Sequence, residues 1–418
     1  MSATRFLPVA LILLSIAALA TENLVHYPVG IMFMLGVHRI WINPKEALRS
    51  SDTRLLVTVF ACVWVPMLLA LPDAANPVRA FKTTALYLHF LPAGIYIIHM
   101  VRDLVVRRIV LAGIAVIVAF WCIDGVIQLV AGRDLFGYPY EGSVLKGIFY
   151  PKQRFGLILA VFMPLYVHAV NRAATRSVWA WLLLLPMITA VMFSLKRTAW
   201  IMLAVALGAY VSCFFRVTRP KVLSVAVAVG LVVATLAATI AFVPNVNKQM
   251  SGSLKMFSTD FATADIATSH RLSLWKTGLA VARAHWLNGV GPRGYRTVYR
   301  DFAEADDFWI NRGKTGQTHP HLMALEISVE TGAVGLIGYG AVLFLLVRNI
   351  WRRRTRDPAS AVCLMVVLVA WFPLNAHLAF YGSYWSTIVW IMIALGCTAA
   401  DKEGARSCPT GAAASCAP

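Results

Sequence analysis

The chain is 418 residues long, 59% hydrophobic and only 14% charged, with a mean hydropathy of +0.70 and a formal net charge of +19. That composition excludes an ordinary soluble domain and marks a membrane protein. Its seven cysteines show no CxxC spacing, so neither a disulfide framework nor a metal site is indicated.

Runs of roughly 17 to 25 apolar residues can cross a bilayer. In chain order they fall near 5–21, 27–42, 55–72, 84–101, 108–131, 155–171, 177–195, 198–215 and 221–243. After a long polar loop they resume near 322–347, 359–377 and 383–400. The expected fold is an all-α polytopic membrane protein of about twelve transmembrane helices. Helices 1–9 occupy residues 1–243, a cap of short helices 244–320, helices 10–12 residues 321–400, and a disordered cytoplasmic tail 401–418. The first run ends in "AALA", which a cleaved signal peptide would also show. A retained helix is the reading adopted, because it gives an even count with both termini on one side.

The charges orient this frame. Arg5, "RIWINPKEALRSSDTR", "RDLVVRR", "NRAATR", "RVTRPK", "RNIWRRRTR" and the Lys402/Arg406 tail put 20 of the 38 Lys and Arg on one side, which the positive-inside rule assigns to the cytoplasm. The short loops opposite hold Arg79, Lys82, Arg133, Lys146, Lys152, Arg154, Lys196 and Arg197, and nothing about topology requires them.

"MFSLKRTAWIML" leaves only Lys196 and Arg197 between two apolar runs. An arginine at mid-bilayer costs about 2.5–3.5 kcal/mol by insertion scales, less near the interface. Arg197 therefore either snorkels to headgroups or faces inward to an anion. "EGSVLKGIFYPKQRFGLILAV" brings Lys146, Lys152 and Arg154 to a helix that starts near Phe155. Cations there oppose the macrodipole by a few tenths of a kcal/mol unless an anion offsets it; ordinary loop lysines are the alternative. In the long loop, "LWKTGLAVARAHWL" reads as an amphipathic helix, "NGVGPRGY" as a turn and "YRTVYRDFAEADDFW" as a second helical piece. Arg271 and Trp275 share a helix face, with Trp275 expected to bury against the membrane body. Arg293, Arg296 and Arg300 would form a basic stripe, either solvated or facing a phosphate of an acceptor.

Guanidinium groups bind phosphate oxygens bidentately and stay charged. A lipid-linked pyrophosphate fits such a set, with its tail in the bilayer and its sugar under the cap. "HPHLMALEISVETGAVGL" then places His321 where cap and tenth helix meet, level with the arginines. Neutral imidazole is a suitable general base, and a cationic neighbourhood would keep it unprotonated. Pro320 suits a helix start. Glu326 and Glu330 share a face, while His321 and Glu330 are half a turn out of phase, so the glutamates are read as partners that orient an arginine. Gly332, Gly335 and Gly338 make a thin strip for close helix approach.

His321, Leu322, nine residues, Gly332, two more and Gly335 resemble the His-[Asn/Ser/Gln]-x9-Gly-x-x-[Gly/Thr/Tyr] signature of bacterial O-antigen ligases. "SLKRTAW", "HRLSLW" and "LNGVGPRGY" resemble further segments of the O-antigen ligase and polymerase superfamily. The resemblance implies a GT-C-type glycosyltransferase of the bacterial inner membrane, with its active site facing the periplasm. It implies transfer of a polysaccharide from undecaprenyl pyrophosphate to a lipid A-core sugar hydroxyl in lipopolysaccharide assembly, with no cofactor and no metal. Its partners are the donor lipid, the lipid A-core acceptor and membrane lipids, and no nucleic acid. By position Arg197, Arg271 and His321 match motif residues and Arg154 matches more loosely, which makes His321 catalytic and the three arginines the pyrophosphate-binding set. Lys152, Lys196, His319, Glu326 and Glu330 are read from the residues as candidate supporting groups. Leu322 departs from the signature's polar residue, and His319 is a candidate substitute.

Three rivals remain at this level. An O-antigen polymerase would use the same donor with a second lipid-linked saccharide as acceptor. A twelve-helix transporter would find its best support in Asp124 and Gln128. A metal-dependent transferase would have to recruit Glu304, Asp306 and Asp307 from a hydrated loop.

Overall fold

A chain this apolar has to satisfy its backbone within the segments that meet lipid, and helices do so locally. The computed structural model describes residues 3–21, 24–214, 244–311, 316–375 and 379–398, with Gly230, Ala234, Thr235, Ala237 and Ala241 between them. The expected helix at 221–243, apart from those positions, "RVTRPK" beyond Phe214 and the 401–418 tail lie outside the described residues. Among the described residues there is no strand, only one isolated bridge between Arg133 and Pro139.

The membrane body begins with α1 (Ala3–Ala17), α2 (His26–Ile42), α3 (Pro44–Arg49), α4 (Ser51–Leu69), α5 (Pro77–Tyr87), α6 (Phe90–Val101) and α7 (Leu104–Ala131). It continues with α8 (Phe155–Ala174), α9 (Leu184–Phe193) and α10 (Arg197–Phe214). The cap holds α11 (Pro244–Leu254), α12 (Phe261–Ala267), α13 (Arg271–Ala284), α14 (Tyr295–Phe302) and α15 (Phe308–Asn311). The body resumes with α16 (Met323–Arg353), α17 (Pro358–Ala370) and α18 (Ser383–Cys397). Among the described residues six helical runs are long and apolar enough to cross a membrane: α4, the joined run Pro77–Val101, α7, α8, α10 and α16. Thr4–Ala20, Val178–Phe193, α17 and α18 are shorter apolar helices.

One boundary differs from the sequence reading. Arg79 and Lys82, assigned above to a loop, lie on α5. The Asn76 side chain accepts the Arg79 N–H at 3.0 Å, and Pro77 supplies the first helical residue, so the helix starts ahead of the apolar run.

The cap has its own small core, Leu274, Val281, Val290, Tyr295 and Tyr299, closed against Leu325 and Val329 of α16, with Trp275 packed beside it. Each fully buried side chain of this kind contributes about 1.5–3 kcal/mol. The cap is also joined to α16 through the main chain. At Gly332 the helix is interrupted, with φ 62° and ψ −156°. The N–H groups of Ala333 and Val334 bond instead to the carbonyls of Trp286 and Leu287, at 2.8 and 3.3 Å, and Val290 N–H bonds to the Val329 carbonyl at 2.9 Å.

The three glycines expected to form one strip therefore have different duties. Gly338 is the site of close helix approach, since a Cβ there would lie 2.1 Å from the Cys62 carbonyl oxygen of α4. Gly332 is a break, where a Cβ would lie 2.2 Å from the Leu287 oxygen. Gly335 faces its own helix, 1.9 Å from Thr331 Oγ1 by the same construction.

Gly332→Ala is expected to lose at least about 2 kcal/mol, combining a glycine-only conformation with a main-chain clash. Gly340, exposed and with no atom within 4 Å of an added Cβ, should tolerate alanine. Thermal unfolding midpoints of the two variants in detergent check this: equal midpoints would mean that the break does not hold the cap.

Candidate active site

Four of the singled-out residues stand at helix starts. Arg154 is the residue before α8, Arg197 opens α10, Arg271 opens α13, and His321 lies two residues before α16. A helix N-terminus leaves N–H groups unsatisfied and carries about half a positive charge. Adding a cation there is locally unfavourable, and repeating it within one site concentrates positive potential.

Arg197, Arg271 and Lys196 form one group. The Arg197 guanidinium donates to the Ala267 carbonyl, while its Nε is buried with no hydrogen-bond partner among the described residues. Burial, and then the Arg197 cation, hold the Arg271 guanidinium below its ordinary pKa. Lys196 donates to Gln153, the neighbour of Arg154. Its pKa is lowered by burial, then by Arg271 and Lys146. Lys146 pairs with Glu141, which the ion pair holds below the usual carboxylate range. Lys152 is exposed.

Arg271 is positioned by a residue the sequence reading missed. Asp265 on α12 accepts the Ser273 N–H at 3.0 Å, the Ser273 hydroxyl at 2.8 Å and shares a 3.0 Å contact with His270 Nδ1. It caps α13 from outside the helix, eight positions before Ser273, which a local capping pattern does not reveal.

A second group surrounds a cavity of about 460 Å³, lined in part by Arg154, Arg293, His319, Tyr381, Tyr384 and Trp385. Arg197 and Arg271 are not among its lining residues. The Arg154 guanidinium lies over the Tyr384 ring, 4.4 Å from its centroid, and the Tyr384 hydroxyl donates to the Leu19 carbonyl at 2.7 Å. The His319 and His321 rings are 4.0 Å apart. His321 has φ 53°, an uncommon conformation for a residue with a side chain. Beyond it, the first amides of α16 are held by another loop, Met323 N–H on the Asn375 carbonyl at 3.0 Å and Ala324 N–H on Pro373 at 3.2 Å.

The glutamates act on main chain. Glu330 Oε2 accepts the Arg293 N–H at 2.6 Å, and Glu326 Oε1 accepts the Phe380 N–H at 3.0 Å. They fix the two loops that form cavity walls, instead of pairing directly with a guanidinium as the sequence suggested. Arg293 also leaves the expected stripe. It sits in the turn before α14 with φ 64°, and its Nη1 lies 3.7 Å from where a Cβ on Gly382 would be. Of the other two, Arg300 is exposed. Arg296 is half-buried, its pKa lowered by burial, Arg293 and Arg79 against the raising effect of Glu330 and Glu326.

The residues behind the rival readings have structural partners. Asp124 Oδ1 accepts the Leu135 N–H at 3.0 Å, and Gln128 Oε1 accepts the N–H of Gly147 at 2.8 Å, so both organise the loop that carries Lys146. Glu304 pairs with Lys276 at 2.5 Å. Buried Asp307 accepts from the Tyr299 hydroxyl at 3.0 Å and the Trp309 N–H at 2.8 Å.

Fold and site together define a multi-pass helical membrane protein whose capped end carries Arg154 and Arg293 on one cavity and Lys196, Arg197 and Arg271 as a separate basic group. Residues 182–340 match the family model described as O-antigen ligase, which bears out the resemblance carried by "SLKRTAW", "HRLSLW" and the His321 segment. Lys196, Arg197, Arg271, Arg293, His321, Glu326 and Glu330 fall inside that match, and Arg154 precedes it. No curated protein matches the chain.

Lys196 gives a pH test. The folded protein holds its proton less tightly than the unfolded chain, so the charged form costs stability at neutral pH. That cost is relieved as pH rises from the folded pKa toward the ordinary value of 10.5. Wild type should gain thermal stability relative to Lys196→Met over this alkaline window, and parallel curves for the two proteins would contradict it.

Proposed function

We propose that this protein is an O-antigen ligase that transfers a glycan from undecaprenyl pyrophosphate to a sugar hydroxyl of lipid A-core. The observation that carries the reading is the set of cations at the starts of α8, α10 and α13, linked to His321 through the cavity that Arg154 shares with His319, the His319–His321 contact, the Lys196–Gln153 bond and the Arg197–Arg271 interaction. Such helix starts are anion sites, and guanidinium groups add bidentate donors suited to a diphosphate. The frame is a GT-C-type membrane transferase of twelve spans, with the capped end periplasmic and both termini in the cytoplasm.

In this scheme His321 takes the proton of the acceptor hydroxyl as its oxygen attacks the anomeric carbon. The bond from that carbon to the pyrophosphate breaks in the same displacement, inverting the centre. Arg154, Arg197 and Arg271 stabilise charge growing on the departing oxygen, in surroundings where desolvation strengthens each contact. Arg293, held by Glu330 and facing the cavity beside Arg154, joins them as a substrate-binding group. His319, in contact with His321, serves where the family signature has a polar side chain. Pyrophosphate leaves without a general acid.

In proteoliposomes supplied with defined donor and lipid A-core, His321→Ala should lower turnover by roughly 10²–10⁴-fold, and near-normal turnover would remove the base from the scheme. Replacing lipid A-core with a second lipid-linked repeat tests the acceptor: chain extension in place of ligation would make the protein a polymerase.

A further inference from the structure

A larger cavity lies away from this site. It measures about 700 Å³ and opens between the first turns of α7, the last turns of α8 and the start of α17. Arg154 stands at one end of α8 and this cavity at the other, separated by a helix of 20 residues, roughly 30 Å long. The same end carries the basic runs that the positive-inside rule assigns to the cytoplasm.

Its walls are of two kinds. Four arginines, Arg107, Arg108, Arg172 and Arg356, stand against one carboxylate, Asp357. Arg107 is buried and already engaged, donating from Nη2 to Asp357 Oδ1 and Oδ2 at 2.7 and 2.8 Å and to Ser360 Oγ at 2.7 Å. It forms a fixed floor joining α7 to α17. Arg108, Arg172 and Arg356 are exposed and have no ion-pair partner among the described residues. The remaining wall is apolar and runs along the helices through Leu104, Leu111, Ala112, Leu165 and Val362.

Three guanidinium groups with no ion pair among the described residues, above an apolar wall that runs along membrane-spanning helices, match a molecule with a phosphate at the interface and acyl chains below it. A soluble phosphate would use the arginines and leave the wall without a role. We propose that this cavity is a binding site for an anionic glycerophospholipid of the inner leaflet, held by Arg108, Arg172 and Arg356 at its phosphodiester and by the α7, α8 and α17 wall along its chains. The site is independent of the transfer chemistry proposed above.

The test uses the full-length protein, delipidated in mild detergent and titrated with dioleoylphosphatidylglycerol, cardiolipin, dioleoylphosphatidylcholine or soluble glycerol 1-phosphate, with bound adducts counted by native mass spectrometry. Wild type should retain both anionic lipids, and the triple variant Arg108→Gln, Arg172→Gln, Arg356→Gln should bind them more weakly by about fivefold per arginine, on the order of a hundredfold in all. Arg107 is left intact so that the α7–α17 link stays in place. Thermal midpoints without lipid confirm that the variant folds, and the anionic lipids should raise the midpoint of wild type only. Binding by the variant within threefold of wild type, or equal retention of phosphatidylcholine, overturns the proposal. Glycerol 1-phosphate binding as tightly as phosphatidylglycerol overturns it as well, since the acyl chains would then contribute nothing.

Discussion

At Gly332 helix α16 leaves its own hydrogen-bond ladder, and the amides it releases are taken by carbonyls of the cap. Inside a membrane body an unbonded amide costs several kcal/mol, so the break and the cap segment around Leu287 have to form together. The same helix presents Glu330 to the Arg293 turn and Leu325 and Val329 to the cap core. His321 stands at its beginning. Placement of the imidazole and of the cap arginines is thus one problem with one solution, the docking of residues 285–295 onto α16. A site assembled from independent loops would drift, whereas this one is registered by main-chain bonds on a transmembrane helix.

Cations at helix starts raise a question of balance. The Arg197 guanidinium donates to a carbonyl and that of Arg154 lies over an aromatic face, while the buried carboxyls Glu326 and Glu330 bond to main-chain N–H groups. Direct ion pairs between those carboxyls and the arginines would offset positive potential that the proposed diphosphate would use. Bonding the carboxyls to amides keeps them structural, fixing the Arg293 turn and the Phe380 loop.

How far the sequence revealed this depends on the range of each interaction. Arg154, Arg197 and Arg271 were legible because each lies at an edge where an apolar or amphipathic run begins, and that edge is a property of a few neighbouring residues. Arg293 was not. Spacing of three and four to Arg296 and Arg300 suggested a helical stripe, but the "GPRG" turn gives Arg293 a positive φ and aims it elsewhere. The partners of the glutamates are amides far away in sequence, at Phe380 and Arg293, which no local pattern encodes. Glycines three apart look alike whether they admit a neighbouring helix, as Gly338 does at Cys62, or break their own, as Gly332 does. Asp265 escaped for the same reason as the glutamates, since its capping of α13 crosses a turn between two helices.

The two basic ends of α8 differ in a way that constrains what each can hold. At the capped end Arg154 is stacked on Tyr384 at the wall of a cavity that cap residues and aromatic rings also line, and outside that lining Lys196 is tied to Gln153. Arg154 is half-buried there, and a ligand would have to supply enough negative charge to offset its own desolvation. At the opposite end Arg108, Arg172 and Arg356 are exposed, and their attraction for an anion is screened within roughly 10 Å. In the transfer proposed above, a doubly charged group whose bond is being broken would gain most from the first environment, where contacts can strengthen as charge develops. A singly charged headgroup that only needs to reside gains most from the second, where the apolar wall supplies the remaining affinity. On these two proposals one helix carries basic side chains at both ends for physically distinct reasons, half-buried Arg154 at one and exposed Arg172 at the other.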